Sequence, residues 1–284
     1  MPHGAIDRFR LALSGAPVTP VATGLSFVDP SLLPGPGGPA RSHASALANA
    51  CEGLRLDFAF VPSWEPWALD AVGMLRAVGV AVAWVVPGVL TPVFEGLGAG
   101  EVLRASERDP GRLAEALDEA TTRSESAIDA GIAAGADAIV IADDLAGADG
   151  PLVPPSFLDP EIVPRLARLV ARAAAVGLPA VLHCDGVAAP LYAPAHAAGF
   201  AAVHGDCGGP ARVAAALALA RRVGVMLAGG IGASQLTDLA RATAAGATAA
   251  TLAAQGGLLV CDDGGVATTA ECAALFAALG AARR

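Results

Sequence analysis

Three apolar stretches of this sequence run directly into groups that bind metals and move protons. Ile139-Val-Ile-Ala ends in Asp143-Asp144, Val181-Leu ends in His183-Cys184-Asp185-Gly186, and Val203 leads into His204-Gly205-Asp206-Cys207-Gly208. Paired carboxylates serve as metal ligands, as an acid and a base, or as the counter-charge of a cationic substrate group. Residues two apart on a strand face the same way, so His183 and Asp185 share one side and Cys184 takes the other. An imidazole beside a carboxylate holds a metal or works as an oriented acid–base pair. A histidine at a strand end is also a poor choice for packing. Asp143, Asp144, His183 and Asp185 are therefore the candidate catalytic residues, and one aspartate of the first pair could instead cap a loop through backbone N–H groups. The third cluster carries less weight, because its glycines read as a turn.

Two later segments add candidates. Leu227-Ala-Gly229-Gly230-Ile231-Gly232 precedes a helix, which makes Gly229 and Gly230 a candidate cofactor or phosphate loop at helix N-terminal N–H groups. Residues 255–265 read as a loop past the last strand, and its Cys261 can reach over the site.

A scaffold must bring these strand ends together. Apolar runs predict strands at 18–23, 57–61, 80–86, 137–142, 179–183, 200–204, 223–228 and 248–253. Helical patterns fall at 45–56, 66–78, 109–134, 160–175, 191–198, 210–222, 233–245 and 269–282, with a Pro/Gly-rich loop over 29–40. Buried strands that alternate with helices mean a parallel sheet covered on both faces. Eight such units in 284 residues predict an α/β fold of the (β/α)8 barrel type, in a single domain over 1–284. In that fold the active site lies at the C-terminal ends of the strands, where the candidate residues fall. No Gly-rich fingerprint follows an early strand, which disfavours a dinucleotide-binding sheet.

Composition narrows the function classes. With 54% hydrophobic and 16% charged residues the chain is not disordered, and a net charge of −9 disfavours nucleic acid as a partner. Five cysteines in so long a chain do not make a disulfide scaffold. All 18 basic residues are arginine, so lysine Schiff-base chemistry and a phosphate-loop lysine are excluded. The N-terminus lacks an apolar signal region, and the longest apolar run, 77–94, is broken by Gly79, Pro87, Gly88 and Pro92. The expectation is a cytoplasmic protein with no membrane segment. An alanine-rich apolar surface is compatible with a homodimer.

The blocks 135–147, 150–157, Val181-Leu-His-Cys-Asp-Gly186 and Gly229-Gly-Ile231, in that order and spacing, resemble the uroporphyrinogen decarboxylase superfamily. The resemblance covers about 57–282 and implies a (β/α)8 barrel with its site at the mouth. The superfamily contains decarboxylases and methyltransferases that act with corrinoid proteins. Its true decarboxylases carry an arginine-rich loop after the first strand and a catalytic aspartate after the second. This sequence reads Ala22-Thr-Gly-Leu-Ser-Phe27 and Phe60-Val-Pro-Ser63-Trp64 at those places, with neither feature. The resemblance therefore favours a corrinoid-linked methyltransferase that moves a methyl group to or from a small acceptor, such as a metal-activated thiol. It implies zinc held by His183, Asp185 and Cys261, with Asp185 where the family's first cysteine stands. A corrinoid on a partner protein would be the methyl donor. A metal-free decarboxylase or lyase, and a tetrapyrrole- or corrinoid-binding module, are the alternatives.

Overall fold

The computed structural model describes residues 4–33, 43–205 and 210–284. Most of the loop expected over 29–40, and Asp206, Cys207 and Gly208 of the third cluster, lie outside the described residues.

Eight parallel strands form one sheet in chain order: β1 (Gly24–Leu25), β2 (Phe58–Pro62), β3 (Ala81–Pro87), β4 (Ala138–Ala142), β5 (Ala180–His183), β6 (Ala202–His204), β7 (Met226–Ile231) and β8 (Leu258–Asp262). The sheet closes where the Val260 N–H donates to the Ala22 carbonyl and Thr23 bridges Val260. The protein is a (β/α)8 barrel, as expected from the alternation of apolar runs and helices. Eleven helices of seven residues or more occur among the described residues: α1 (Ala5–Leu13), α2 (His43–Leu54), α3 (Ala68–Ala77), α4 (Thr91–Leu97), α5 (Ala99–Arg108), α6 (Ala114–Ala134), α7 (Val163–Ala174), α8 (Tyr192–Ala198), α9 (Pro210–Val223), α10 (Leu239–Ala253) and α11 (Thr269–Ala282). None is long and apolar enough to cross a membrane.

Strand alternation builds two cores. Val82, Trp84, Val86, Ile139, Ile141 and Leu182 point outward and meet the helices. Several inward positions of the other strands are small: Ala81, Ala83, Ala138, Ala202 and Ala228 leave space that Phe58 and Phe60 of β2 fill, beside Val85, Val140, Val181 and Leu259. Helix α1 closes the bottom, where Phe9 stacks on Phe58 with ring centroids 4.8 Å apart. Asp57 and Asp137, each just before a strand, carry the polar side of that end. Buried Asp57 accepts from the Thr23 N–H and pairs with Arg8 and Arg283. Asp137 accepts from the Val82 N–H and pairs with Arg10.

The strand expected over 248–253 is the last part of α10. Half of its residues are alanine, the best helix former, and the threonines do not form a β-branched run. The eighth strand is instead Leu258–Asp262, so Cys261 lies within a strand rather than in a loop beyond it.

Helices α10 and α11 touch through Gly246, where an added Cβ would sit 1.9 Å from the Ala278 carbonyl oxygen. Gly73 in α3 has nothing within 4 Å of that position. The same substitution should therefore act in opposite directions. Gly246→Ala is expected to destabilise by about 1–3 kcal/mol through overpacking. Gly73→Ala should stabilise by about 0.5–1 kcal/mol through helix propensity. Thermal melts of the two variants check this, and a Gly246→Ala protein as stable as wild type would contradict the close approach.

Candidate functional site

Strands β5 and β6 end in His183 and His204, which are partners in the parallel register. Val181, two residues before His183, faces the barrel interior, and the same parity turns the His183 ring toward the mouth. His183 is 9% exposed and His204 is fully buried. Phe27 packs on His183 and Phe60 on His204, with centroid distances of 4.3 and 5.1 Å.

The hydrogen bonds fix the tautomers. His204 Nε2 lies 2.8 Å from the main-chain oxygen of Asp262. A carbonyl only accepts, so His204 carries its proton on Nε2 and leaves Nδ1 bare. That Nδ1 is 2.8 Å from Nδ1 of His183, which must therefore be the donor. The Nε2 of His183 is left with an open lone pair. Burial keeps both rings neutral: it pushes His183 down to about 4, and it lowers His204 together with the adjacent His183.

Two carboxylates face that lone pair. Oδ1 of Asp185 lies 3.7 Å from His183 Nε2. Ligand atoms of Asp144, His183 and Asp185 all fall within 4.8 Å of one another. The Asp185 N–H donates to Asp144 Oδ1 at 3.3 Å. Burial first, then the charge of Asp144, raises the Asp185 carboxyl above its ordinary range. A cation placed among these three side chains would relieve that repulsion.

Asp143 has a different task. It is fully buried, and its carboxylate accepts from the N–H groups of Val89, Leu90 and Thr91 and from the Thr91 hydroxyl. These are the free donors at the start of α4, so Asp143 caps that helix from another strand. Gly88 makes room for it, since a Cβ there would lie 2.2 Å from Asp143 Cβ. The Thr91 hydroxyl also accepts from the Asp144 N–H at 2.8 Å, which holds Asp144 at the mouth. The expectation that one aspartate of the pair would cap a loop is met by Asp143.

Asp185 stays beside His183 although β5 ends at His183, and Cys184 turns the other way into the outer core. Its buried thiol is pushed up to about 12, mainly by desolvation. Cys261 does not join His183 and Asp185: it is buried on β8, paired with Gly230, and packs in the barrel interior. Among the described residues Asp144 stands third in the cluster where Cys261 was expected. The error traces to the shifted last strand, which made a core position look like a loop thiol.

Gly229 and Gly230 lie inside β7, paired with Val260 and Cys261, rather than in a loop. The N–H groups expected to cradle a phosphate are already used. The Gly232 N–H donates to Gln235 Oε1 at 2.7 Å, and the Ala233 N–H to Asp263 Oδ1 at 3.2 Å. Burial and the charge of Asp262 push the Asp263 carboxyl up to about 7. Sequence reasoning gave no role to Asp262, whose fully buried carboxylate holds the Ser26 N–H and hydroxyl and so ties β8 to the end of β1. It also undervalued His204. The signal was there, because two adjacent parallel strands each end in histidine.

The geometry defines an enzyme-like barrel mouth with an imidazole lone pair and two clustered carboxylates. The family model for uroporphyrinogen decarboxylase (URO-D) matches residues 67–257, more than half of the chain. The chain belongs to the uroporphyrinogen decarboxylase family. Among solved structures it is similar to a methyltransferase from Methanosarcina mazei, with TM-score 0.71, 19% identity and coverage of 97% of this chain and 98% of that one. It also aligns with the carboxyl transferase domain of Rhizobium etli pyruvate carboxylase, with TM-score 0.49, 11% identity and coverage of 91% and 42%. No curated protein matches the sequence significantly.

Proposed function

We propose that this barrel is a metal-dependent methyltransferase of the corrinoid-linked type. Asp144, His183 and Asp185 are assigned as the metal ligands. The observation that carries the reading is the His183 Nε2 lone pair facing two carboxylates. Metal-ligating histidines usually have their other ring nitrogen fixed by a hydrogen bond, and here His204 supplies it. Because burial keeps His183 neutral down to about pH 4, this ligand needs no proton loss to bind a metal at neutral pH. One imidazole and two carboxylates can hold zinc, and they suit a harder divalent ion better than a thiolate-rich set would. Such an ion, when bound, would lower the pKa of a coordinated thiol or water.

The chain's own residues orient this centre. Thr91 holds Asp144, the His204–Asp262 main-chain link holds the His183 tautomer, and Phe27 covers the His183 ring. The methyl donor would be a corrinoid carried by a partner protein at the mouth, and the acceptor a small molecule in the adjoining cavity. That cavity of about 460 Å3 is lined by Phe27, Trp64, Thr91, Glu95, Asp144 and His183 among others. A porphyrinogen, with its several carboxylates, finds no arginine among the described residues of this lining, which weighs against the decarboxylase reading. The test is metal analysis by mass spectrometry on untagged protein, followed by methyl transfer from methylcobalamin before and after chelation. Near-stoichiometric divalent metal, and turnover that chelation removes and the metal restores, are expected. Metal-free protein that still turns over would reject the assignment.

A further inference from the structure

Several arginines of this molecule are engaged away from the mouth. Arg8, Arg10 and Arg283 sit at the bottom of the barrel, bound to Asp57 and Asp137. Arg165, Arg168 and Arg172 face α6, where they pair with Asp118, Glu125 and Asp129. The mouth is the reverse. The cavity beside His183 is walled by Phe27, Trp64 and Pro92, with Glu95 and Asp144 as its charged groups. A second cavity of about 330 Å3 shares Phe27 and Trp64 with it and adds Phe60, Trp67, Asp29, Glu65 and the imidazole of His43. Neither cavity has an arginine among its described lining residues, and the chain contains no lysine. The side chains of Glu65 and Glu95 make no ion pair or hydrogen bond among the described residues. The indole of Trp64, the wall common to both cavities, is 52% exposed.

An aromatic face next to unpaired carboxylates selects for positive charge. The ring quadrupole attracts a cation, and an alkylated ammonium suits such a wall because its methyl groups are apolar and weakly hydrated. Before any metal is bound, the described charged side chains that an anionic ligand would meet are the carboxylates of Asp29, Glu65, Glu95 and Asp144, with the His43 imidazole in the second cavity. We propose that the mouth binds a small organic cation, an alkylammonium or quaternary ammonium group, seated against Trp64 and Phe27 with Glu95 as counter-charge. The inference rests on reading the mouth as the substrate site, and it adds the class of substrate.

The test uses choline, its uncharged carbon isostere 3,3-dimethyl-1-butanol, and ethanesulfonate as the anionic probe. Binding is measured by calorimetry on the full chain, once with chelator and once with zinc. Choline is expected to bind about tenfold more tightly than the isostere. Ethanesulfonate is expected not to bind. Trp64→Ala and Glu95→Gln should each reduce that preference several-fold; both side chains are largely exposed, so the fold should tolerate the changes. Equal affinity for choline and its isostere would overturn the proposal, as would tighter binding of ethanesulfonate or a choline affinity unmoved by both variants. The outcome is independent of the methyltransferase reading. If the protein holds no metal but prefers choline, the metal assignment falls and the cation site stands. If it holds metal and transfers methyl groups but ignores choline's charge, the cation site alone falls.

Discussion

Replacing His183 by alanine is expected to strip the metal from the protein and to abolish methyl transfer, with the fold intact. The substitution removes the only nitrogen ligand of the Asp144–His183–Asp185 cluster and leaves two carboxylates that repel each other. Residues that merely support a ligand typically contribute 10–100-fold in metal affinity, so loss of the ligand itself should exceed about a hundredfold. His204→Phe provides the graded comparison. It keeps the packing volume but removes the acceptor that holds the His183 proton on Nδ1. Its metal affinity should fall by about 10–100-fold while His183 remains available. Metal content after dialysis at a buffered free-zinc concentration, together with circular dichroism, reads both variants. A His183→Ala protein with wild-type metal content would sink the assignment of this cluster, whatever its activity.

The second large effect lies at the opposite end of the barrel. Asp57→Asn should destabilise the protein by about 3–5 kcal/mol, the usual cost of removing one partner from a buried ion pair. The Asp57 side chain is fully buried, and its guanidinium partners Arg8 and Arg283 are only 13% and 14% exposed. Arg8 belongs to the helix that plugs the barrel, and Arg283 follows the last helix. One carboxylate therefore fastens both ends of the chain to the start of β2. For a chain of this size each kcal/mol moves the melting temperature by roughly 2–4 °C, so a drop of about 10 °C is expected. Metal binding at the mouth should survive. A shift of under about 1 kcal/mol would mean that the pairs behave like exposed ones, which contribute little.

Much of the barrel is legible in the sequence, because runs such as Val82–Val86 and Ile139–Ile141 are apolar on both strand faces, and helices separate them. The period of a strand also gave the shared side of His183 and Asp185. What the sequence does not display is which neighbour of an adjacent pair turns inward. Asp143 and Asp144 are chemically identical. Their division of labour is decided by the donors of Val89, Leu90 and Thr91, more than fifty residues earlier. The register of the last strand is hidden for a different reason. Helix α10 is built mainly of alanine and threonine, whose small side chains carry neither a clear helical stripe nor a strand alternation. Misreading its end displaced Cys261 from the core to the site.

The partner that fixes the His204 proton is a main-chain oxygen of residue 262, not its side chain. Substitution at position 262 can change what the side chain binds without deleting that acceptor. Exchanging the aspartate would remove the carboxylate that holds Ser26 and the charge it places beside His204, but it would leave in place the main-chain acceptor that sets the His204 tautomer. Heritable variation in this protein reaches the tautomer through position 204, or through a shift of the strand as a whole.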